Sequence, residues 1–315
     1  MELDQILDGD CLAQLQTIPD ASVHMVITSP PYNVGINYAS YDDRLEHRDY
    51  LAWLFKVWAE VKRVLVPGGR FALNIAPTSI KNFRPIHYDF ATDLLSLGFI
   101  MRTEILWYKQ TIYRRTAWGS WKSPRNPHIM PSWEYVLVFC KDRWELDGDP
   151  KDADITRDEF IKFSDGFWYI PPETRRNGHP APFPAELIYR LIKYYTFRGN
   201  VVLDPFGGTG TVAVVAKQTG RRFIHVDISR EYNEVARKRI AAAQSQPSRA
   251  ASESGSLDHD GEANEAAAAQ IAPTMPAALK ADVQKRGKPV GEKRAPYRTK
   301  AAPRKPSKKK TRTRS

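Results

Sequence analysis

The sequence has few of the residues that disulfide-bonded, metal-binding and membrane-spanning proteins need. Its 315 residues include only two cysteines, Cys11 and Cys140, which form neither a disulfide framework nor a set with metal-ligand spacing. No run of about 18 apolar residues occurs, so no membrane span is predicted. The first residues, Met1-Glu2-Leu3-Asp4, are acidic and lack the pattern of a signal peptide. These absences favour a cytoplasmic protein without a metal site.

Net positive charge is absent from most of the chain, although the whole sequence carries +11. Residues 280–315 hold 15 lysines and arginines against two acidic residues, so the rest of the chain is close to neutral. Residues 244–279 contain no aromatic residue, and we expect disorder there because little surface can be buried. A basic arm commonly binds nucleic acid through phosphates, and a solubilising tail without a specific partner is the alternative. The sequence therefore predicts one large domain, residues 1–243, and a disordered linker with a basic tail, residues 244–315.

An apolar run from Val23 to Ile27 ends in the motif Ser29-Pro30-Pro31-Tyr32. Valine and isoleucine bounded by turn residues predict a buried strand. Two prolines cannot donate to a sheet ladder and each fixes its φ angle, so the strand must stop and a stiff loop must follow. We expect an oxygen-lined slot beneath the Tyr32 ring, which suits a planar group that carries an amine. A rigid turn with no other role is the alternative reading.

A second motif follows the apolar run Val201 to Leu203 and consists of an acid and a glycine-rich turn. Its residues are Asp204, Pro205, Phe206, Gly207, Gly208, Thr209, Gly210 and Thr211. Glycines at a strand-to-helix turn let a ligand approach the backbone closely, and the helix N-terminus favours a negative group. A further strand, from Arg222 to Val226, ends at Asp227, where an acid commonly binds ribose hydroxyls. The pattern predicts a nucleotide-like cofactor.

Together the two motifs resemble those of the S-adenosylmethionine-dependent DNA amino-methyltransferases, in the motif order of the β class. The resemblance covers residues 8–240. It implies a doubly wound α/β fold of the Rossmann-like methyltransferase type, with a mostly parallel seven-stranded sheet and a circularly permuted motif order. S-adenosyl-L-methionine is the implied cofactor. By resemblance, Asp10 would accept a hydrogen bond from the adenine amine and the Cys11 backbone would flank the ring, although Asp10 is as easily a helix cap.

Two long insertions are candidates for contact with DNA. Residues 110–133 interleave cations and aromatic residues without periodicity, which predicts an exposed loop whose arginines pair with phosphate or guanine and whose aromatic rings stack on bases. Its candidate residues are Arg114, Arg115, Trp118, Trp121, Lys122 and Arg125. Residues 142–168 are the other candidate, and the sequence does not decide between them. The alternative for the first insertion is an ordinary long hairpin loop with no role in DNA contact.

The resemblance implies methylation of double-stranded DNA at an exocyclic amine after the base is flipped out. Ser29 and the Pro30 carbonyl would accept from the amine, Pro31 would keep the loop rigid, and Tyr32 would stack on the base. A serine at the first motif position is associated in the family with cytosine N4, and aspartate with adenine N6. We expect cytosine N4, with adenine N6 as the alternative. The alternative function from another class is a catalytically silent DNA-binding module. A homodimer and a restriction endonuclease partner are also expected as possibilities from the resemblance.

Overall fold

The computed structural model describes residues 2–32, 37–38, 41–42, 45–76, 84–109, 119–120, 122–129, 131–173 and 183–244. These residues belong to the first of two compact units into which the chain divides, Met1–Ser254. The predictions for the linker and the basic tail fall almost wholly outside the described residues.

A single large sheet forms the centre of this unit. Its eight strands are β1 (Gln5–Asp8), β2 (Val23–Thr28), β5 (Leu65–Ile75), β6 (Phe99–Tyr108), β7 (Trp133–Lys141), β8 (Phe167–Tyr169), β9 (Val201–Asp204) and β10 (Arg222–Asp227). Their order across the sheet is β1-β10-β9-β2-β5-β7-β6-β8, and a separate pair is formed by β3 (Asn37–Tyr38) and β4 (Tyr41–Asp42). Within the large sheet only the two pairings made by β7 are antiparallel, so the sheet is mostly parallel as predicted.

Helices cover both faces of the sheet, which confirms the doubly wound α/β architecture. They are α1 (Cys11–Leu15), α2 (His47–Val64), α3 (Ile86–Ser96), α4 (Arg157–Phe163), α5 (Ala185–Tyr195), α6 (Thr211–Gln218) and α7 (Arg230–Ala242), with a short 3₁₀ turn at Pro150–Asp152. One apolar layer joins α1, α2 and α3 to the sheet, and the other joins α4 to α7 to the opposite face. None of the described helices is long and apolar enough to cross a membrane.

Helix α2 shows how the sequence pattern produces this packing. Its apolar residues recur every three or four positions, so one stripe faces the sheet while charged residues face solvent. Leu54, Trp58 and Val61 on that stripe are fully buried, and each such side chain contributes about 1.5–3 kcal/mol by leaving water. The helix ends where Leu65 turns to extended backbone and enters β5.

Two details of the sequence prediction were wrong. The sheet has eight strands instead of seven, because β8 pairs in parallel with the far edge of β6. This strand lies at the end of the predicted 142–168 insertion, and its three residues are too few to show an alternating pattern in the sequence. The proline and glycines of residues 65–69 also predict a turn after α2, yet these residues are the first part of β5, where an irregular register between β2 and β5 accommodates Pro67.

The strand directions bring the ends of most strands to one edge of the sheet. All strands of the large sheet except β7 end at this edge, which we call the carboxyl edge, and β7 alone begins there. Ligands of open α/β sheets bind at such an edge. Side chains at the ends of β2, β9, β10 and β1 therefore lie at the same edge of the sheet as those at the start of β7.

Candidate active site

The two sequence motifs meet directly at the carboxyl edge. Strands β2 and β9 are neighbours, with Val26 beside Leu203, so the residues that follow each strand lie together. The Thr28 hydroxyl donates to Asp204 Oδ1 at 2.7 Å, although 176 positions separate the two residues in the chain. The residue before Ser29 is thus tied to the first residue of the glycine-rich motif.

Asp204 is buried beneath the glycine-rich loop. Its Oδ1 also accepts from the backbone N–H of Phe206 at 3.1 Å. Burial raises the pKa of Asp204 to about 7, and the hydrogen bonds from Thr28 and Phe206 oppose that rise only in part. A carboxylate in this environment is a suitable partner for a cationic or hydrogen-bond-donating ligand group, which would restore its charged form.

The glycines of the loop are required by the packing around them. A Cβ at Gly207 would lie 2.2 Å from Nδ1 of the buried His225, so no side chain fits there. Gly210 has a φ of 80° and caps α6, and a Cβ there would also meet Ala236 at 2.8 Å. The loop therefore presents bare backbone at the start of α6, as a site for a nucleotide-type cofactor needs.

The remaining residues of this motif pack around the turn. Thr209 and Thr211 are buried, and Arg239 of α7 donates to the Thr209 carbonyl at 2.5 Å and to the Thr211 hydroxyl at 3.3 Å. Pro205 is also buried. Both threonines therefore have a structural partner, in addition to any contact with a ligand.

The end of β10 lies beside the end of β1, which brings Asp227 to Asp10 and Cys11. Asp8 and Asp227 are register partners, and the Gly9 N–H donates to the Asp227 carbonyl at 3.0 Å. The Asp227 carboxylate accepts from the N–H of Gly208 at 2.7 Å and of Ser229 at 2.8 Å. Each of its oxygens keeps a further lone pair for a ligand hydroxyl. Burial raises the pKa of Asp227.

Asp10 and Cys11 have clear local roles. The Asp10 carboxylate accepts from the Ala13 N–H at 3.0 Å, so the helix-cap alternative is confirmed for this residue. Cys11 is buried, and desolvation together with the nearby Asp10 raises its thiol pKa to about 12. Its sulfur is therefore held as a thiol, and only its backbone remains for the predicted contact.

The Pro-Pro-Tyr loop is held from two sides. Pro30 is buried, and the hydroxyl of Tyr50 in α2 donates to the Pro31 carbonyl at 2.5 Å. The Ser29 hydroxyl donates to the Tyr32 hydroxyl oxygen at 2.9 Å. Tyr50 therefore fixes the Pro31 carbonyl, and the Ser29 hydroxyl keeps lone pairs that can accept a further hydrogen bond.

Three residues of this site were missed by the sequence reading: Asn74, Lys109 and Glu134. Asn74 lies near the end of β5, Lys109 follows β6 and Glu134 lies near the start of β7, so all three are at the carboxyl edge. The Tyr32 hydroxyl donates to Glu134 at 3.3 Å, Asn74 donates to both, and Lys109 forms an ion pair with Glu134. Lys109 carried a signal that could have found it, since it is a charged residue directly after the apolar strand β6, whereas Glu134 at the start of β7 carried none.

The insertions are placed only in part. Lys122 and Arg125 are exposed in a tight turn that a bridge between Gly119 and Pro127 closes. Arg114, Arg115, Trp118 and Trp121 lie outside the described residues. The roles of all six in DNA contact stay predictions.

The second insertion is anchored to the body through Asp154. Both of its carboxylate oxygens accept from the Arg221 guanidinium, at 2.7 Å each, and Lys193 also contacts it. Burial alone would raise the pKa of Asp154, yet these cations lower it below its usual value. This part of the insertion is therefore packed firmly onto the face that carries α5 and α6.

The residues fit the cofactor that the motifs predict. A bare glycine loop at a helix start, a buried acid beneath it and a second acid at the end of the next strand form the arrangement of nucleotide-type cofactor sites. Next to it, a rigid loop offers oxygen acceptors to an amine. The fold and the site define an S-adenosylmethionine-dependent methyltransferase.

Comparison with known proteins identifies the family. The family model described as DNA methylase, which covers N6 and N4 enzymes, matches residues 23–238. The chain is 30% identical to the Type II methyltransferase M.MjaI of Methanocaldococcus jannaschii, over 76% of this chain and 92% of that protein. It is 32% identical to TTHA0409 of Thermus thermophilus, solved with S-adenosyl-L-methionine, over 75% of this chain and 93% of that one, with a TM-score of 0.60.

The cytosine-N4-specific PvuII DNA methyltransferase is 22% identical, with a TM-score of 0.58 over 75% of this chain and 85% of that one. At this identity the likeness shows only that the two proteins share a fold. The chain belongs to the DNA methylase family, as a site-specific DNA methyltransferase of the N4-cytosine or N6-adenine type that uses S-adenosylmethionine.

Proposed function

We propose that this enzyme methylates the exocyclic N4 amine of cytosine in double-stranded DNA, after flipping the base out of the duplex. The observation that carries the proposal is Ser29, a neutral hydroxyl at the first position of the Pro-Pro-Tyr motif. Its hydrogen bond to Tyr32 uses its single proton, so towards any further group Ser29 can act only as an acceptor. An amine is the donor that such a hydroxyl would take.

In the proposed reaction the chain binds and orients the amine. Ser29 Oγ and the Pro30 carbonyl accept its two hydrogens, which directs the nitrogen lone pair away from the loop, and the Tyr32 ring stacks on the base. S-adenosylmethionine supplies the electrophilic methyl group when it is bound by the glycine loop, Asp204 and Asp227. Alignment of this kind contributes up to roughly 7–11 kcal/mol to catalysis in favourable cases.

Covalent catalysis by a thiol is not part of the proposal. Cys11 has a thiol pKa of about 12, and burial also raises the pKa of Cys140. Nucleophilic cysteines need the opposite, a pKa low enough to form the thiolate. The buried environments of both residues support direct transfer to nitrogen over chemistry at the C5 carbon of cytosine.

The base is tested by expressing the chain in cells that lack other amino-methyltransferases and digesting their DNA to nucleosides. Mass spectrometry should detect N4-methylcytosine, and sequencing of modified bases would give the recognition site. N6-methyladenine in its place would overturn the choice of base. The absence of both products, together with no detectable binding of S-adenosylmethionine to the purified protein, would favour a silent DNA-binding module. A cytoplasmic location, a homodimer and a restriction endonuclease partner stay predictions.

A further inference from the structure

Three side chains form a line of hydrogen bonds that starts at the proposed amine site and ends in the sheet. In this hydroxyl chain, Ser29 contacts the Tyr32 hydroxyl at 2.9 Å, and the Tyr32 hydroxyl contacts Glu134 Oε2 at 3.3 Å. Asn74 and Glu134 are 3% and 7% exposed, so the inner end of the chain is shielded from water. Buried polar groups of this kind need every donor to face an acceptor.

Glu134, at the buried end of the hydroxyl chain, determines which group is the donor in each of its hydrogen bonds. An ionised carboxylate such as Glu134 can only accept, so Tyr32 must donate its proton to it. The Tyr32 oxygen then has two lone pairs, one of which accepts from Asn74 Nδ2 at 3.0 Å. The other accepts from Ser29, whose proton is thereby directed inward. Ser29 can present only lone pairs to a ligand.

We propose that Glu134 is a positioning residue that makes Ser29 an acceptor, and that it thereby selects an amine-bearing base over one with a carbonyl at the same position. The inference rests on the proposed function, because it takes Ser29 to be the contact of the exocyclic group. Cytosine and adenine offer a donor at this position, whereas uracil and hypoxanthine offer an acceptor. A lone pair of Ser29 facing a carbonyl oxygen leaves both groups without a partner.

Lys109 makes the substitution Glu134→Gln informative. The ammonium group forms an ion pair with Glu134 Oε1, while Asn74 and Tyr32 contact Oε2. In the glutamine variant, the cation holds the single amide oxygen towards itself and turns the amide N–H₂ towards Tyr32. Tyr32 must then accept at that end and donate to Ser29, which frees the serine proton to point outward. Donor and acceptor are thereby exchanged in each hydrogen bond of the hydroxyl chain, while the side chain at position 134 keeps nearly the same volume.

The test measures binding to duplexes that carry the recognition site found by modified-base sequencing. The target base is cytosine in one duplex and uracil in the other, with an abasic site opposite so that base pairing does not contribute. If adenine proves to be the methylated base, adenine and hypoxanthine replace them, so an error in the proposed base leaves the test intact. The variants are Glu134→Gln, Tyr32→Phe and the control Lys109→Met, which keeps the carboxylate. Thermal unfolding checks that each variant is folded.

The wild-type enzyme should bind the amine duplex at least about tenfold more tightly than the carbonyl duplex. Glu134→Gln and Tyr32→Phe should each narrow this ratio at least about fivefold, because both free the serine proton. The Pro30 carbonyl is a fixed acceptor, so the ratio should narrow without reversing. Lys109→Met should lower affinity for both duplexes and keep the ratio.

Two outcomes would overturn the inference. A ratio that stays at the wild-type value in both Glu134→Gln and Tyr32→Phe would show that the hydroxyl chain does not set the preference. A ratio that narrows as much in Lys109→Met would assign the effect to a general loosening of the loop. Should Glu134→Gln fail to fold, Tyr32→Phe still decides, since it leaves the ion pair of Lys109 with Glu134 in place.

Discussion

Replacing Asp204 by asparagine should stabilise the ligand-free protein, and increasingly so as the pH rises. The folded-state pKa of this carboxyl is raised by burial to about 7 from an ordinary value of 3.8. Between these two values the folded state binds more protons than the unfolded state. Stability is therefore greatest below the unfolded pKa and falls as the pH rises towards the folded pKa.

The size of the effect follows from the width of this window. Each pKa unit corresponds to about 1.4 kcal/mol. A rise from pH 5 to pH 8 crosses about two pH units before the folded-state pKa of about 7 is reached, so wild-type stability should fall by roughly 3 kcal/mol. The amide of the asparagine variant does not titrate, yet its oxygen can still accept from Thr28 and Phe206. The difference in free energy of unfolding between variant and wild type should thus grow by roughly 3 kcal/mol between pH 5 and pH 8.

Denaturant titrations of both proteins at the two pH values measure this difference. Thr28→Val is the matched control, because it removes the hydrogen bond that lowers the Asp204 pKa and keeps the carboxyl group. Its stability should fall more steeply with pH than that of the wild type. A stability difference between Asp204→Asn and wild type that is the same at pH 5 and pH 8 would refute the reasoning, since it would mean that Asp204 titrates normally.

Four further predictions address separate parts of the molecule. Ser29→Ala should slow single-turnover methylation at least about tenfold while DNA affinity stays nearly unchanged, because phosphate contacts supply most of that affinity; an unchanged rate would make the loop mere scaffolding. Asp227→Ala should weaken S-adenosylmethionine binding by roughly 1.5–3 kcal/mol in calorimetry, and unaltered affinity would remove it from the site. Asp154→Asn should destabilise the fold by about 3 kcal/mol in denaturant titration, because it leaves Arg221 buried without its partner, whereas the exposed Asp147→Asn should change little. Deleting residues 280–315 should flatten the salt dependence of non-specific DNA binding, and an identical slope would show that this segment is not a DNA arm.

The elements with a strong periodic signal were predictable from sequence. The helical spacing of apolar residues in the sequence predicts helices over residues 47–64 and 185–195, and these are the bounds of α2 and α5 in the structure. Both helices carry a sustained apolar stripe, and α5 begins directly after its N-cap residue Pro184, whose missing N–H suits a helix start. The two motif loops were also found, since acids and glycines after apolar strands produce a local signal.

The place of Glu134 in the site could not be predicted from the local sequence, because it depends on the direction of strand β7. Residues that follow a strand reach the carboxyl edge when that strand runs parallel to its neighbours. Strand β7 is antiparallel to β5 and β6, so its first residues reach the carboxyl edge instead of its last. Nothing in the local sequence reveals the direction of a strand, which is decided by how the intervening chain packs. The same non-local dependence hid the partnership of Lys109 with Glu134.

The strand order also has a consequence for how the protein is made. Strands β1 and β2 are neighbours in sequence, yet β9 and β10, the last strands of the sheet, lie between them. A chain emerging from the ribosome must therefore keep a gap two strands wide, with unpaired edges on both sides, until β9 and β10 have been synthesised. Thr28 cannot reach Asp204 before that moment. The enzyme can acquire its activity only after β10 has been synthesised, and chains that stall earlier expose strand edges that promote aggregation.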